Sequence, residues 1–121
     1  MAEKYITEEQ RAKCRKVADA FAELYELTDV MVVDAERFGF VRLQWFSDGK
    51  GFDSAMAFSD SKELFEELWR IWYEHEILTS VLGTPLVELS YDKIFQSFSK
   101  DRQEEISEKK KYFRVLCGEG N

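Results

Sequence analysis

Apolar residues recur along this chain at two spacings, and the change from one to the other divides it into a helix, a group of strands and a helical remainder. Over residues 8–25, Cys14, Val17, Ala18, Phe21, Leu24 and Tyr25 fall three and four apart, which puts them on one side of an α-helix. Arg11, Lys13, Arg15, Lys16, Asp19, Glu23 and Glu26 fall off that stripe and stay solvated. Thr7-Glu8-Glu9-Gln10 precedes it as a capping box, in which the hydroxyl and the Gln side chain satisfy free backbone N–H groups reciprocally.

The period then shortens. Segments 30–33, 38–46 and 52–58 are rich in β-branched and aromatic residues and read as three strands, with Ser47-Asp48-Gly49-Lys50-Gly51 as a hairpin loop between the last two. In the middle strand Val41, Leu43 and Trp45 point one way, and Phe40, Arg42, Gln44 and Phe46 the other. Both faces therefore carry apolar bulk. With Phe38 added, that pattern predicts that the C-terminal helices cover part of the second face.

Asp60, with Glu63 three residues on, starts a long helix over 61–82, ended by Gly83 and Pro85. Leu64, Leu68, Ile71, His75, Leu78 and Leu82 form its expected core stripe, flanked by Phe65 and Trp72. Trp69, Tyr73 and Ile77 make a separate apolar row beside Lys62 and Glu66, and this row needs a cover of its own. Beyond Pro85, two further helices are expected over 91–98 and 102–116, the second capped by Asp101 with Glu104. Residues 111–117 also alternate, so an edge strand competes with the helix there. The whole reads as one compact α+β domain over 1–121, frayed at 1–6 and 118–121. Its order is an N-terminal helix, a three-stranded antiparallel sheet, a long helix and two shorter C-terminal helices.

Composition narrows the class. Ten Phe, five Tyr and three Trp in 121 residues supply an aromatic core and rule out disorder by low hydrophobicity. The two cysteines, Cys14 and Cys117, have no metal-knuckle or redox spacing and are expected as buried thiols. No run is long and apolar enough for a leader or a membrane span, which points to a cytoplasmic protein with no membrane contact. The net charge of −7 is uneven: −1 over residues 1–28, −3 over 29–60, −4 over 61–90 and +1 over 91–121. An acidic middle repels phosphate backbones and attracts basic partners.

Candidate chemistry is sparse. The single histidine, His75, could line a pocket as a general base beside a carboxylate, but a neutral core histidine is the simpler account. Asp34, Glu36, Asp48, Asp53 and Asp60 lie at expected strand ends and turns, where turn formation explains them. The stretch Asp48–Asp53 fails as a calcium loop, with Lys and Phe at the third and fifth positions. No glycine-rich phosphate cradle is present, and neither a cofactor nor a metal is expected. The order helix, three strands, helix resembles that of double-stranded RNA-binding domains. Those domains present Lys where this chain has Asp60-Ser61-Lys62-Glu63 followed by Glu66 and Glu67, so direct nucleic-acid binding is not expected.

The expectation from the sequence is a non-enzymatic, acidic protein-binding module. Its sharpest form is an inhibitor or immunity-type protein acting on a basic, nucleic-acid-handling partner. The candidate partner-binding residues are Glu63, Glu66, Glu67, Trp69, Tyr73, Glu74 and Ile77 on the long helix, with Asp34, Glu36, Asp48 and Asp53 at the strand ends. The alternative is a small-ligand site or minor enzyme built around His75, and a homodimer through 61–82 would also account for the spare apolar row. Exposure of Trp69 and Tyr73 together would favour docking. A cleft placing His75 beside a carboxylate would favour the ligand site.

Overall fold

The computed structural model describes residues 5–25, 29–45 and 51–118, with the side chains of Phe52 and Asp53 excepted. Helix α1 (Glu8–Leu24) leads into three strands, β1 (Val30–Asp34), β2 (Phe40–Trp45) and β3 (Phe52–Phe58). Helices α2 (Ser61–Val81), α3 (Tyr91–Ser97) and α4 (Lys100–Leu116) follow, with a 3-10 turn at Pro85–Glu88. The α+β architecture expected from the hydrophobic pattern is present, with the strands antiparallel in the order β1-β2-β3. The expected loop over 47–50, together with Phe46, lies outside the described residues.

Local signals set the helix starts. Thr7 Oγ1 accepts from the Gln10 N–H at 3.1 Å, as a capping box requires. The reciprocal half is missing, because Gln10 Oε1 instead accepts from the Ser61 N–H at 2.8 Å and ties the start of α2 to α1. Asp60 caps α2, its carboxylate accepting from the N–H groups of Lys62 and Glu63. For α4, Ser99 rather than Asp101 is the cap, accepting from the Arg102 N–H at 3.2 Å, so the helix begins two residues earlier than expected. Residues 111–116 are helical rather than an edge strand, because Phe113 is fully buried on the face that α4 turns to α1 and α2.

Between β1 and β2 the chain makes a 3-10 turn at Glu36–Phe38, so Phe38 is not in the strand where the pattern put it. Gly39 makes the turn possible: its φ is 100°, and a Cβ there would stand 2.3 Å from the Phe58 carbonyl oxygen. The register then pairs Val32 with Arg42 and Arg42 with Met56. Alternation sends Val30, Val32, Asp34, Phe40, Arg42, Gln44 and Phe58 to the helical side, where Phe40 and Phe58 are buried.

The core lies between that face and the helices. Cys14, Val17, Phe21, Leu64, Leu68, Ile71, Phe113 and their neighbours form one continuous buried cluster, with Phe65 stacked on Phe113 at 4.4 Å between ring centres. Both cysteines are buried and form no disulfide among the described residues, and burial with the nearby Asp60 charge pushes the Cys14 thiol up to about 11. Along α2 the buried side shifts. Leu78 and Leu82, expected in the core stripe, are exposed, while Ile77 and Val81 are buried. Helix α2 packs on the Pro85–Glu88 turn and α3 as well as on β3, and Tyr73 meets Phe95 of α3, so its buried side is shared between two sets of neighbours. The C-terminal helices pack chiefly on α1 and α2, and Met31, Val33, Ala55 and Ala57 on the sheet's second face are exposed rather than covered as expected.

One charged side chain crosses the core. Arg42 is 3% exposed and meets Glu67 Oε2 at 2.9 Å, while its other terminal nitrogen donates to Ser54 Oγ at 2.6 Å. Among the described residues its Nε takes no hydrogen bond. Removing one partner of a buried pair strands the other, so Glu67→Leu is expected to destabilise the fold by about 3–5 kcal/mol. The double variant Arg42→Met, Glu67→Leu should recover most of that loss, as read from urea unfolding midpoints at constant m.

Candidate functional site

The acidic residues expected to face a partner are largely committed to contacts within the chain. Asp34, at the end of β1, takes Arg11 of α1 at 2.7 Å and Arg15 of the same helix, and accepts the Glu36 N–H at 2.8 Å. These donors hold its carboxyl below the usual range, with the backbone N–H of Glu36 contributing most. Glu67 is shared by Arg42 and Arg70, and Glu74 meets Arg70 at 2.9 Å. Glu66 lies 3.9 Å from Lys110 of α4, and Glu76 pairs with Arg102. Among the described residues Glu63 is exposed with no ion pair, and so is Glu36, which sits at φ 57° in the left-handed region. Asp48 and the Asp53 side chain lie outside the described residues. Basic residues of α1 and α4 thus reach across to Asp34, Glu66 and Glu76 of the acidic middle.

The aromatic row of α2 is covered. Trp69 is 9% exposed, stacks on Trp72 at 5.0 Å, and has the Lys110 ammonium 5.7 Å from its ring. Tyr73 is half-buried against Phe95 of α3, its hydroxyl pushed up by burial and then by Asp92. Ile77 is fully buried. These three residues belong to the packing of α3 and α4 and offer no joint exposed surface.

His75 lines a cleft of about 180 Å³ together with Tyr25, Asp29, Gln44, Arg70, Ile71, Glu74, Leu78 and Tyr91. Its ring lies edge-on to Tyr25 at 5.9 Å, and the Tyr25 hydroxyl donates to Asp29 at 3.2 Å. Burial and that neighbouring carboxylate push the Tyr25 hydroxyl far up. The cleft therefore brings His75 near two carboxylates, Asp29 and Glu74. Glu74 is already held by Arg70, and among the described residues neither ring nitrogen of His75 takes a hydrogen bond. An imidazole that no carboxylate orients lacks the third group that fixes a general base.

One exposed apolar surface is a face that the sequence pattern expected to be covered. The second face of the sheet presents two cross-strand rows, Met31–Leu43–Ala55 and Val33–Val41–Ala57, and every member is apolar. Met31 is 53% and Val33 38% exposed, and Ala55 and Ala57 are exposed as well. The main helix contacts with the sheet come from α1 and α2. The signal was legible as apolar residues on both parities of β2, but where the cover would come from was not.

Among the described residues no group of His, Cys, Asp and Glu could hold a metal ion, and no helix is long and apolar enough to cross a membrane. Comparison of the chain with protein-family models, with curated proteins and with solved structures finds no match.

The Asp34 cluster joins β1 to α1, and its titration has a definite sign. A carboxyl whose folded pKa is depressed stabilises the fold above its unfolded pKa, and that contribution is lost as pH falls through the folded value. Asp34→Asn is therefore expected to lower thermal stability at pH 7. Its melting temperature should converge on that of the unmodified chain as the pH falls below the ordinary carboxylate range of about 4, as followed by circular dichroism.

Proposed function

We propose that this chain is a non-catalytic protein-interaction domain that docks through the uncovered face of its sheet rather than through α2. The observation that carries this reading is the pair of outward apolar rows on β1, β2 and β3, with no charged side chain among their six members. A contiguous apolar patch of this kind on a small domain commonly marks an interaction site. A three-stranded face with strands this short spans about 15 by 20 Å, or roughly 300 Å². A stable interface takes about 800 Å² from each partner, so contacts must extend past the sheet onto its rim.

Charge favours a different protein over a second copy. Two chains of −7 repel each other, whereas a partner with an apolar centre and a basic rim meets both the sheet and the chain's overall field. That keeps the inhibitor or immunity-type reading as its most specific form, with a basic, nucleic-acid-handling protein as partner. A second reading, a small polar ligand bound beside His75, is favoured by the convergence of Gln44, Arg70, Glu74, His75 and Tyr91 on one cleft.

The test is affinity capture from the source cells at low and at high salt with the unmodified chain, Val33→Lys and Leu43→Lys. A partner held mainly by apolar contact should survive high salt and be lost from both variants, while the variants keep their helical circular dichroism. Recovery of the same partner by both variants, or of none at either salt, would sink the sheet-docking reading. Salt-sensitive recovery untouched by Val33→Lys would move the contact to the remaining exposed carboxylates. Concentration-dependent doubling of mass in sedimentation would show a second copy in the partner's place.

A further inference from the structure

A more enclosed cavity lies away from the sheet, where α1, α2 and α4 meet. It measures about 310 Å³ and is lined by Val17, Ser61, Lys62, Phe65, Glu66, Arg114 and Cys117. That size stands at the lower end of small-molecule sites, which run from about 300 to 1,000 Å³. Val17, Phe65 and Cys117 make its floor apolar, each of them less than a tenth exposed.

The charges around it run against those of the chain as a whole. Arg114 lies over the Phe65 ring, its guanidinium carbon 5.3 Å from the centroid, and makes no ion pair among the described residues. Lys62 makes none either, although the chain carries 24 acidic against 17 basic residues. Lys16 reaches the same corner, its Nζ 3.4 Å from where a Cβ on Gly118 would stand. The one carboxylate in the lining, Glu66, is 3.9 Å from Lys110 and 60% exposed. Asp60, the nearest acidic residue in the chain to Ser61, is occupied in capping α2. Cations left unpaired at the mouth of an apolar pocket match a ligand that carries both features.

We propose that this cavity binds a small organic anion, a carboxylate or sulfonate on a compact aromatic or branched apolar body. The body fills the space against Val17, Phe65 and Cys117, and the anion is held by Arg114 and Lys62. Arg114 is already fixed in direction by its stacking on Phe65, so little of its freedom is lost when it pairs with the ligand. The site is independent of the sheet face, and the two can fail separately.

The probes are 2-naphthoate and its uncharged relative 2-naphthylmethanol, titrated into the full chain and followed by calorimetry and by amide shifts in nitrogen-15 spectra. Naphthoate should bind saturably, with the shifts centred on Val17, Phe65 and Arg114, and the alcohol should bind at least about tenfold more weakly. Lys62→Glu, on an exposed turn that the core does not use, should weaken naphthoate about tenfold or more, and Arg114→Gln should do the same. Val33→Lys on the sheet should leave the affinity unchanged. Absence of saturation by about 5 mM naphthoate, equal binding of the alcohol, shifts confined to β1 and β2, or indifference to Lys62→Glu would each overturn the assignment.

Discussion

The ion pair between Arg42 and Glu67 fixes the relation of sheet to helix on which the remaining packing depends. Arg42 sits at an inward position of the central strand, with a neighbour on each side, and α2 passes over it. A slip of one residue in the strand would turn every side chain to the opposite face. It would also strand Glu67 and expose Phe40, so the register carries a penalty in charge as well as in apolar area. Buried pairs often add little net stability, and the unpartnered Arg42 Nε adds a desolvation cost. What the pair supplies is direction: one rotation of α2 about its axis brings Glu67 to Arg42 and Leu64, Leu68 and Ile71 to the core.

Once α2 is set in this way, the charges around it follow. Arg70 bridges Glu67 and Glu74 on the exposed side of the helix, Lys110 and Arg102 come in from α4 to Glu66 and Glu76, and Arg11 and Arg15 of α1 close on Asp34. Exposed pairs of this kind contribute little to stability, because solvent screens them. Together they have a larger effect on the field than on stability, because carboxylates already paired project less potential toward a partner. The segment charges read from the sequence stand, and several of the carboxylates behind them are already paired within the chain.

Features decided within a few residues were legible before the structure was. Thr7 and Asp60 announce their helices because capping acts over three residues, and the extent of β3 follows from its turns and side-chain alternation. Features decided by a distant element were not. Ser99 and Asp101 are both competent caps two residues apart, and which one serves depends on where α4 must present Ile106 and Phe113 to the core. Leu78 and Ile77 are adjacent, and their burial is settled by α2 outrunning the sheet and meeting α3 instead. The same limit applies to function: the composition of Trp69, Tyr73 and Ile77 suits an interface or an interior equally, and only the position of α3 and α4 distinguishes the two.

The division between the two sides of the sheet follows from this arrangement. On the helical side, α2 is apolar around more than half its circumference, so it needs both the sheet and the C-terminal helices as cover, and those helices are then not free to cross to the other face. On that other face, Ala55 and Ala57 of β3 stand beside Leu43 and Val41 of β2, so the surface steps down from the larger side chains toward an edge strand. A flat surface accepts many partners weakly, whereas a step next to unpaired backbone groups can hold a bulky side chain while the edge takes a strand or loop from the same partner. Specificity across these two rows has to come from such shape, because none of their six members is charged. On the proposed docking reading, the step between β2 and β3 is where the sheet offers such shape, with Val33 and Val41 on one row and Met31 and Leu43 on the other.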